Sequence, residues 1–255
     1  MNSKISSALR FEKYHPIGVY RTNDRPANAL QFKENCWGCV AAMIVAACKG
    51  RTAVFDRDTF GCVGGGVGLG FGNQYVSFPI EALLSTGDGG RCDVQNRRSH
   101  LAEGERYFET PDLARRFLDA LPMRDVPTEF VAFKPLAEVE MQNPPALVLF
   151  LANADQLSAL LVLANYHRAK RDNAIAPFGA GCHSILYGFA EEESDSPRAV
   201  IGFTDISVRK LVESEILSLT VPWKLFLEME QNVKGSFLEM DQWQGVLDRR
   251  GQNVR

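Results

Sequence analysis

Apolar and polar positions along this chain follow two periods. Short apolar runs bounded by turn residues read as strands, and longer apolar stretches at helical spacing read as helices. Residues 16–21 form a strand-like run, followed by a loop rich in Asn, Asp and Pro. Residues 40–48 are an alanine-dense helix that Lys49-Gly50 closes. Residues 52–55 read as a strand, running through Asp56-Arg57-Asp58 into a glycine-rich segment, 61–72. Phe78-Pro79 opens a helix, with proline where its missing N–H costs nothing. Residues 87–100 are polar and read as a loop. Residues 111–121 present an apolar helical face, with Thr110 as its cap.

The second half repeats this order. Residues 146–151 read as a buried strand and 154–166 as a largely buried helix capped by Asn153 or Asp155. Gly179-Ala180-Gly181-Cys182 opens another apolar segment. Residues 199–203 and 217–221 read as strands, and Pro222 starts a helix through Glu230. Cys39 and Cys182 are separated by the same number of residues as Pro79 and Pro222, with a strand and an acid between each pair. This ordered series predicts an internal duplication. The expected architecture is α+β, with one or more mixed sheets, packed helices and two diverged pseudo-repeats. They span 16–140 and 141–255 after an N-terminal segment 1–15, with a helical connection near 107–122. The pattern leaves open whether the halves form one compact domain on one sheet.

Composition narrows the class. The chain has 255 residues, 45% of them hydrophobic and 23% charged, which is globular usage rather than disorder. A net charge of −3 supplies no basic field to recruit nucleic acid. The most apolar stretch, 144–164, is broken at its middle by Asn153, Asp155 and Gln156, so no membrane span is expected. The first fourteen residues carry Lys4, Arg10, Glu12 and Lys13 and have no apolar run of signal-peptide length. Six cysteines without such a signal point to a reducing compartment, and a cytoplasmic location is the expectation.

Cysteine and glycine carry the candidate chemistry. Cys36-Trp37-Gly38-Cys39 is a C-x-x-C at a helix start, where the helix dipole would stabilise a thiolate. Cys62 and Cys182 stand at a strand-to-loop and a loop-to-helix junction. Cys36, Cys39, Cys62 and Cys182 together would hold a [4Fe–4S] cluster or a zinc ion, although their spacing is that of neither a ferredoxin nor a zinc ribbon. Cys48 reads as core and Cys92 as incidental. The glycine run fits no G-x-G-x-x-G register and lacks a P-loop ending. Backbone N–H groups at Gly64, Gly65 and Gly66 would still suit a carboxylate or phosphate, assisted by Arg209 or Arg21. Close packing against another backbone explains the glycines equally well. Asp56 and Asp205, the matched acids, would share a proton or metal, or cap turns. His183 adjoins Cys182, but neighbours on a helix point apart and a direct bond between them is not expected.

Several of these motifs, taken in order, resemble one family. The run 39–50, Cys62-Val63-Gly64-Gly65 with Leu69-Gly70, the stretch 148–157, 163–166, 179–182 and 205–222 are similar to the family called domain of unknown function 169. The resemblance covers roughly positions 12 to 235 and implies a bacterial or archaeal cytoplasmic protein. It supplies no substrate and no catalytic residue. The functional expectation is a small ligand or cofactor bound between the two pseudo-repeats, at Cys62, Gly64, Gly65, Gly66, Cys182, Asp205 and Arg209. The alternatives are a redox or metal enzyme on the four cysteines, and a structural or interaction module. Whether the chain is an enzyme stays open.

Overall fold

The computed structural model describes residues 1–87 and 103–252. Nearly all of the loop expected over 87–100, and Cys92 with it, lies outside the described residues. In chain order the elements are α1 (Lys4–Ala8), β1 (Ile17–Thr22), α2 (Val40–Cys48), β2 (Ala53–Phe55), α3 (Val63–Gly68), α4 (Ile80–Leu84), α5 (Pro111–Asp119) and β3 (Phe130–Pro135). The second half follows with β4 (Leu147–Ala152), α6 (Ala154–Asn165), β5 (Ala174–Ile175), α7 (His183–Glu192), β6 (Ala199–Gly202), β7 (Leu217–Pro222), α8 (Trp223–Asn232) and α9 (Asp241–Gln252). The fold is α+β on a mixed sheet, as the pattern predicts.

All seven strands belong to one sheet, in the order β2-β3-β1-β4-β7-β6-β5. Every pair is antiparallel except β5 with β6. At the centre, Ile17 pairs with Leu149, Gly18 with Val148 and Val19 with Leu147. The ladder therefore reads alike from either side of Gly18 and Val148. Outward, Ile17 pairs with Pro135 on β3 and Leu147 pairs with Pro222 on β7. Just beyond those prolines, the N–H groups of Leu136 and Trp223 donate to the carbonyls of Pro16 and Ala146 at 2.8 and 2.9 Å. Pro79 and Pro222 both cap helices, and within the sheet it is Pro135 and Pro222 that end strands paired to the central ladder.

The central strands are buried on both sides because helices cover both faces. β4 is apolar throughout: Val148, Phe150 and Ala152 join one core, while Leu147, Leu149 and Leu151 join the other. The first face carries α1, α6, α8 and α9, through residues such as Ile5, Leu160, Phe226 and Trp243. The second carries α2 and α7, through Ile44, Val45, Ile185 and Phe189. Local signals set the helix starts. Asn153 and Gln156 form a capping box at α6, and the Thr110 hydroxyl accepts from the Leu113 N–H, with Pro111 in the first turn of α5. No helix among the described residues is long and apolar enough to cross a membrane.

α7 lies unusually close to the sheet. A Cβ on Gly188 would meet Thr220 Cγ2 at 2.8 Å and Leu147 Cδ1 at 2.9 Å. The Gly188→Val variant should therefore lose about 1–3 kcal/mol of stability through overpacking. Gly245→Ala, on α9 with no atom near the added methyl, should gain about 0.5–1 kcal/mol. Urea denaturation of the two variants checks both signs.

Candidate functional site

On the second face, α2, α3 and α7 begin side by side, and each starts at a cysteine: Cys39, Cys62 and Cys182. α3 is the surprise among them. Its sequence, Val-Gly-Gly-Gly-Val-Gly, has four residues that each weaken a helix by about 1 kcal/mol relative to alanine. The sequence reads this run as a loop, and the structure corrects it to a helix. Part of the reason is local, since the Cys62 sulfur accepts the Gly65 N–H at 3.3 Å. The larger part is tertiary. A Cβ on Gly65 would lie 2.7 Å from Val40 Cγ2, and one on Gly68 would lie 2.7 Å from Cys182 Sγ and 2.9 Å from the Cys182 carbonyl. Only glycine lets the three helices approach this closely. Gly64 is the exception, for a Cβ there would make ordinary contacts, with the Tyr75 hydroxyl at 3.5 Å and Ala180 at 3.7 Å.

The halves of the chain meet here through a sulfur. The Cys182 thiol donates to the Gly64 carbonyl at 3.1 Å. Burial pushes the Cys182 thiol well above its ordinary range, and Cys62, Cys39 and Asp205 push it further. Cys182 is therefore a protonated donor at neutral pH, and the expected activation by a helix N-terminus is outweighed by desolvation. Cys36 is exposed, ahead of α2 and outside its first turn, while Cys48 is buried in the core as expected. Among the described residues, no group of three or more His, Cys, Asp or Glu side chains is placed to hold a metal ion.

Asp205 is buried beside this junction. One oxygen accepts the Gly181 N–H at 3.1 Å; the other accepts the Ser207 N–H at 2.9 Å and the Tyr107 hydroxyl at 3.2 Å. Asp56, the acid that the sequence pattern aligns with it, accepts the Asp58 N–H at 2.9 Å and the Thr59 hydroxyl at 2.8 Å. Both acids cap turns two residues on, and the structure does not bring them together as a carboxylate pair. Arg209 is directed away from the glycines. Its guanidinium donates to the carbonyls of Phe203, Glu213, Ser214 and Ile216. Those bonds clasp the loop that holds fully buried Phe203 at a φ of 61°. Arg21 pairs with Glu192 at 2.8 Å and lies over the Phe189 ring.

Sequence reasoning passes over Tyr75 and Tyr107. Tyr75 precedes α4 in a single 3-10 turn, and its hydroxyl lies 2.8 Å from His183 Nε2. Both side chains are at least nine-tenths buried. Burial lowers His183 to about 4 and raises Tyr75 well above its ordinary value, with Cys182, Cys62 and Asp205 adding to the latter. The only sequence signal was position, since His183 follows the cysteine that opens α7.

A seven-stranded mixed sheet with helices on both faces, and a cysteine-capped junction of three helices on one of them, defines this molecule. The chain belongs to the family of domain of unknown function 169, described as uncharacterised ArCR, whose model matches residues 4–232. No curated protein and no solved structure matches it.

The buried histidine sets a pH response. Unfolded, His183 takes up a proton as pH falls through about 6.5; folded, it resists until about 4. Below 6.5 the unfolded state binds more protons, so stability falls as pH drops from 6.5 to 4, by about 3 kcal/mol in all. Chemical denaturation at pH 7.5 and 4.5 should show this loss in the wild type, and a loss smaller by about that amount in His183→Gln.

Proposed function

We propose that this protein binds a small ligand or cofactor where two diverged copies of one α+β unit meet. The site is the helix junction formed by Cys62, Gly64, Gly65, Gly66, Cys182 and Asp205. The carrying observation is the concentration of buried polar side chains there. Cys182, His183, Tyr75 and Asp205 converge from both halves, at a place where aliphatic side chains would stabilise the fold at lower desolvation cost. Perturbed groups gathered at an interface of elements are the usual mark of a site. The symmetric pairing about Gly18 and Val148 supports the duplication, because it gives both units one strand frame. Within this reading the chain works in the cytoplasm, without nucleic acid or membrane.

A second reading has one observation in its favour. Cys39, Cys62 and Cys182 cap neighbouring helices, close enough for Cys182 to feel the other two. With Cys36, which sits three residues before Cys39, they would serve a redox or metal centre holding iron–sulfur or zinc.

Purification without oxygen separates these readings. The wild type and Cys182→Ala are analysed for iron and zinc per chain, for visible absorbance, and for organic molecules released on denaturation. The ligand reading predicts a near-stoichiometric organic component in the wild type that is lost in the variant. Stoichiometric iron or zinc would transfer the site to the metal reading. A bare wild type whose melting temperature does not respond to metabolites, ferrous ion or zinc would leave an interaction module whose cysteines only pack.

A further inference from the structure

Three hydroxyls are buried between α7 and the sheet. Ser184 on α7, with Ser218 and Thr220 on β7, are exposed by 4% or less, and none of their oxygens has a hydrogen-bond partner among the described residues. A hydroxyl buried in this way gives up its bonds to solvent and recovers nothing. Three on one interface require a common cause. Local geometry does not supply it. Serines in helices ordinarily turn back to the carbonyl four residues earlier. Ser7, Ser85 and Ser158, in or at the end of helices of this chain, do so at 3.1, 2.6 and 2.8 Å. Ser184 does not, and faces the sheet instead.

Contacts across the interface place these groups together. Gly202 on β6 pairs with Ser218 on β7. A Cβ on Gly202 would meet Ser184 Cβ at 2.6 Å, Ser218 Oγ at 2.8 Å and Ser184 Oγ at 3.0 Å. The oxygens of Ser184 and Ser218 therefore stand within about 6 Å of each other without sharing a bond, a separation that one bridging water spans. Thr220 lies two residues along the same face of β7, with its methyl carbon 2.8 Å from the place of a Gly188 Cβ. Ser184 and Gly188 are one helical turn apart and Ser218 and Thr220 one strand repeat apart, so they oppose each other in pairs.

From this placement we infer that α7 is seated on the sheet through a bound water held between Ser184 and Ser218, with Thr220 as the third hydroxyl of the site. Each hydroxyl can both donate and accept, so the occupant must do both. Water does, whereas a metal cation binds lone pairs only and a halide binds protons only. A buried water with such partners is part of the fold. The site is separate from the Cys182 junction and stands whether or not a ligand binds there. It bears on that junction all the same, because α7 begins at Cys182 and His183, and the water fixes the seat of the helix that presents them.

Ser184→Ala, Ser218→Ala and the double variant test this in the full chain, by melting temperature and by crystal structure. Each single variant leaves the water and the remaining hydroxyl short of a partner, and should lower the melting temperature by about 2–4 °C. The double variant should fall little further than either single one, because the water has then lost both anchors. A crystal structure of the wild type should show one water within hydrogen-bond distance of both oxygens, and that of the double variant should show none. Hydroxyls that are merely unpaired predict the opposite sign, since each alanine would remove a desolvation cost and raise the melting temperature. Packing alone predicts losses that add in the double variant. Either of those patterns, or a crystal structure in which the two serines bond each other or the backbone, overturns the inference.

Discussion

The close approach of α3 to α7 is the constraint on which the rest of the second face depends. A side chain on Gly68 would occupy the space of the Cys182 sulfur and carbonyl, so the two helices can meet only where α3 has none. The helix weakens itself by about 1 kcal/mol at each glycine relative to alanine and recovers that through contact with Val40, Cys182 and the sheet behind them. Once the helices are this close, the Cys182 thiol reaches the Gly64 carbonyl and binds the halves of the chain together. Tyr75 is then held over the same turn by His183.

A junction so tightly packed would ordinarily be apolar. Here it encloses a thiol, an imidazole, a phenol and a carboxylate, and burial has moved the first three against ionisation. Three of the four groups are thereby kept neutral and act through hydrogen bonds. Thiolate chemistry of the kind a C-x-x-C suggests needs a thiol stabilised as its anion, and Cys182 has the reverse environment. Asp205 keeps its place by accepting three hydrogen bonds, and Asp56 does similar work in its own turn after β2.

Much of the fold was legible because its signals are local. α2 and α6 have continuous apolar faces, Thr110 and Asn153 are strong caps, β4 is an unbroken apolar run, and β7 alternates apolar residues with Ser218 and Thr220. What escaped was tertiary in origin. β3, whose apolar run gives way to Lys134 and Pro135, is not read as a strand from the sequence, yet it joins β2 to β1. α3 contradicts its own propensity and is a helix only because its neighbours require it. Among the proposed site residues, Cys62, Cys182, Gly64 and Asp205 do gather at one junction, while Arg209 is turned to its own loop and Cys36 to solvent. Tyr75 carried no sequence signal at all, since its partner is more than a hundred residues away and no spacing rule links them.

The claim at the centre of this account is that the junction of α3 and α7 binds a small ligand or cofactor rather than gathering polar groups by accident of packing. A crystal structure of protein purified without oxygen tests it most directly. The account predicts density for a non-protein group among Cys62, Cys182 and Asp205. A junction closed by its own side chains, or holding ordered water alone, would contradict it.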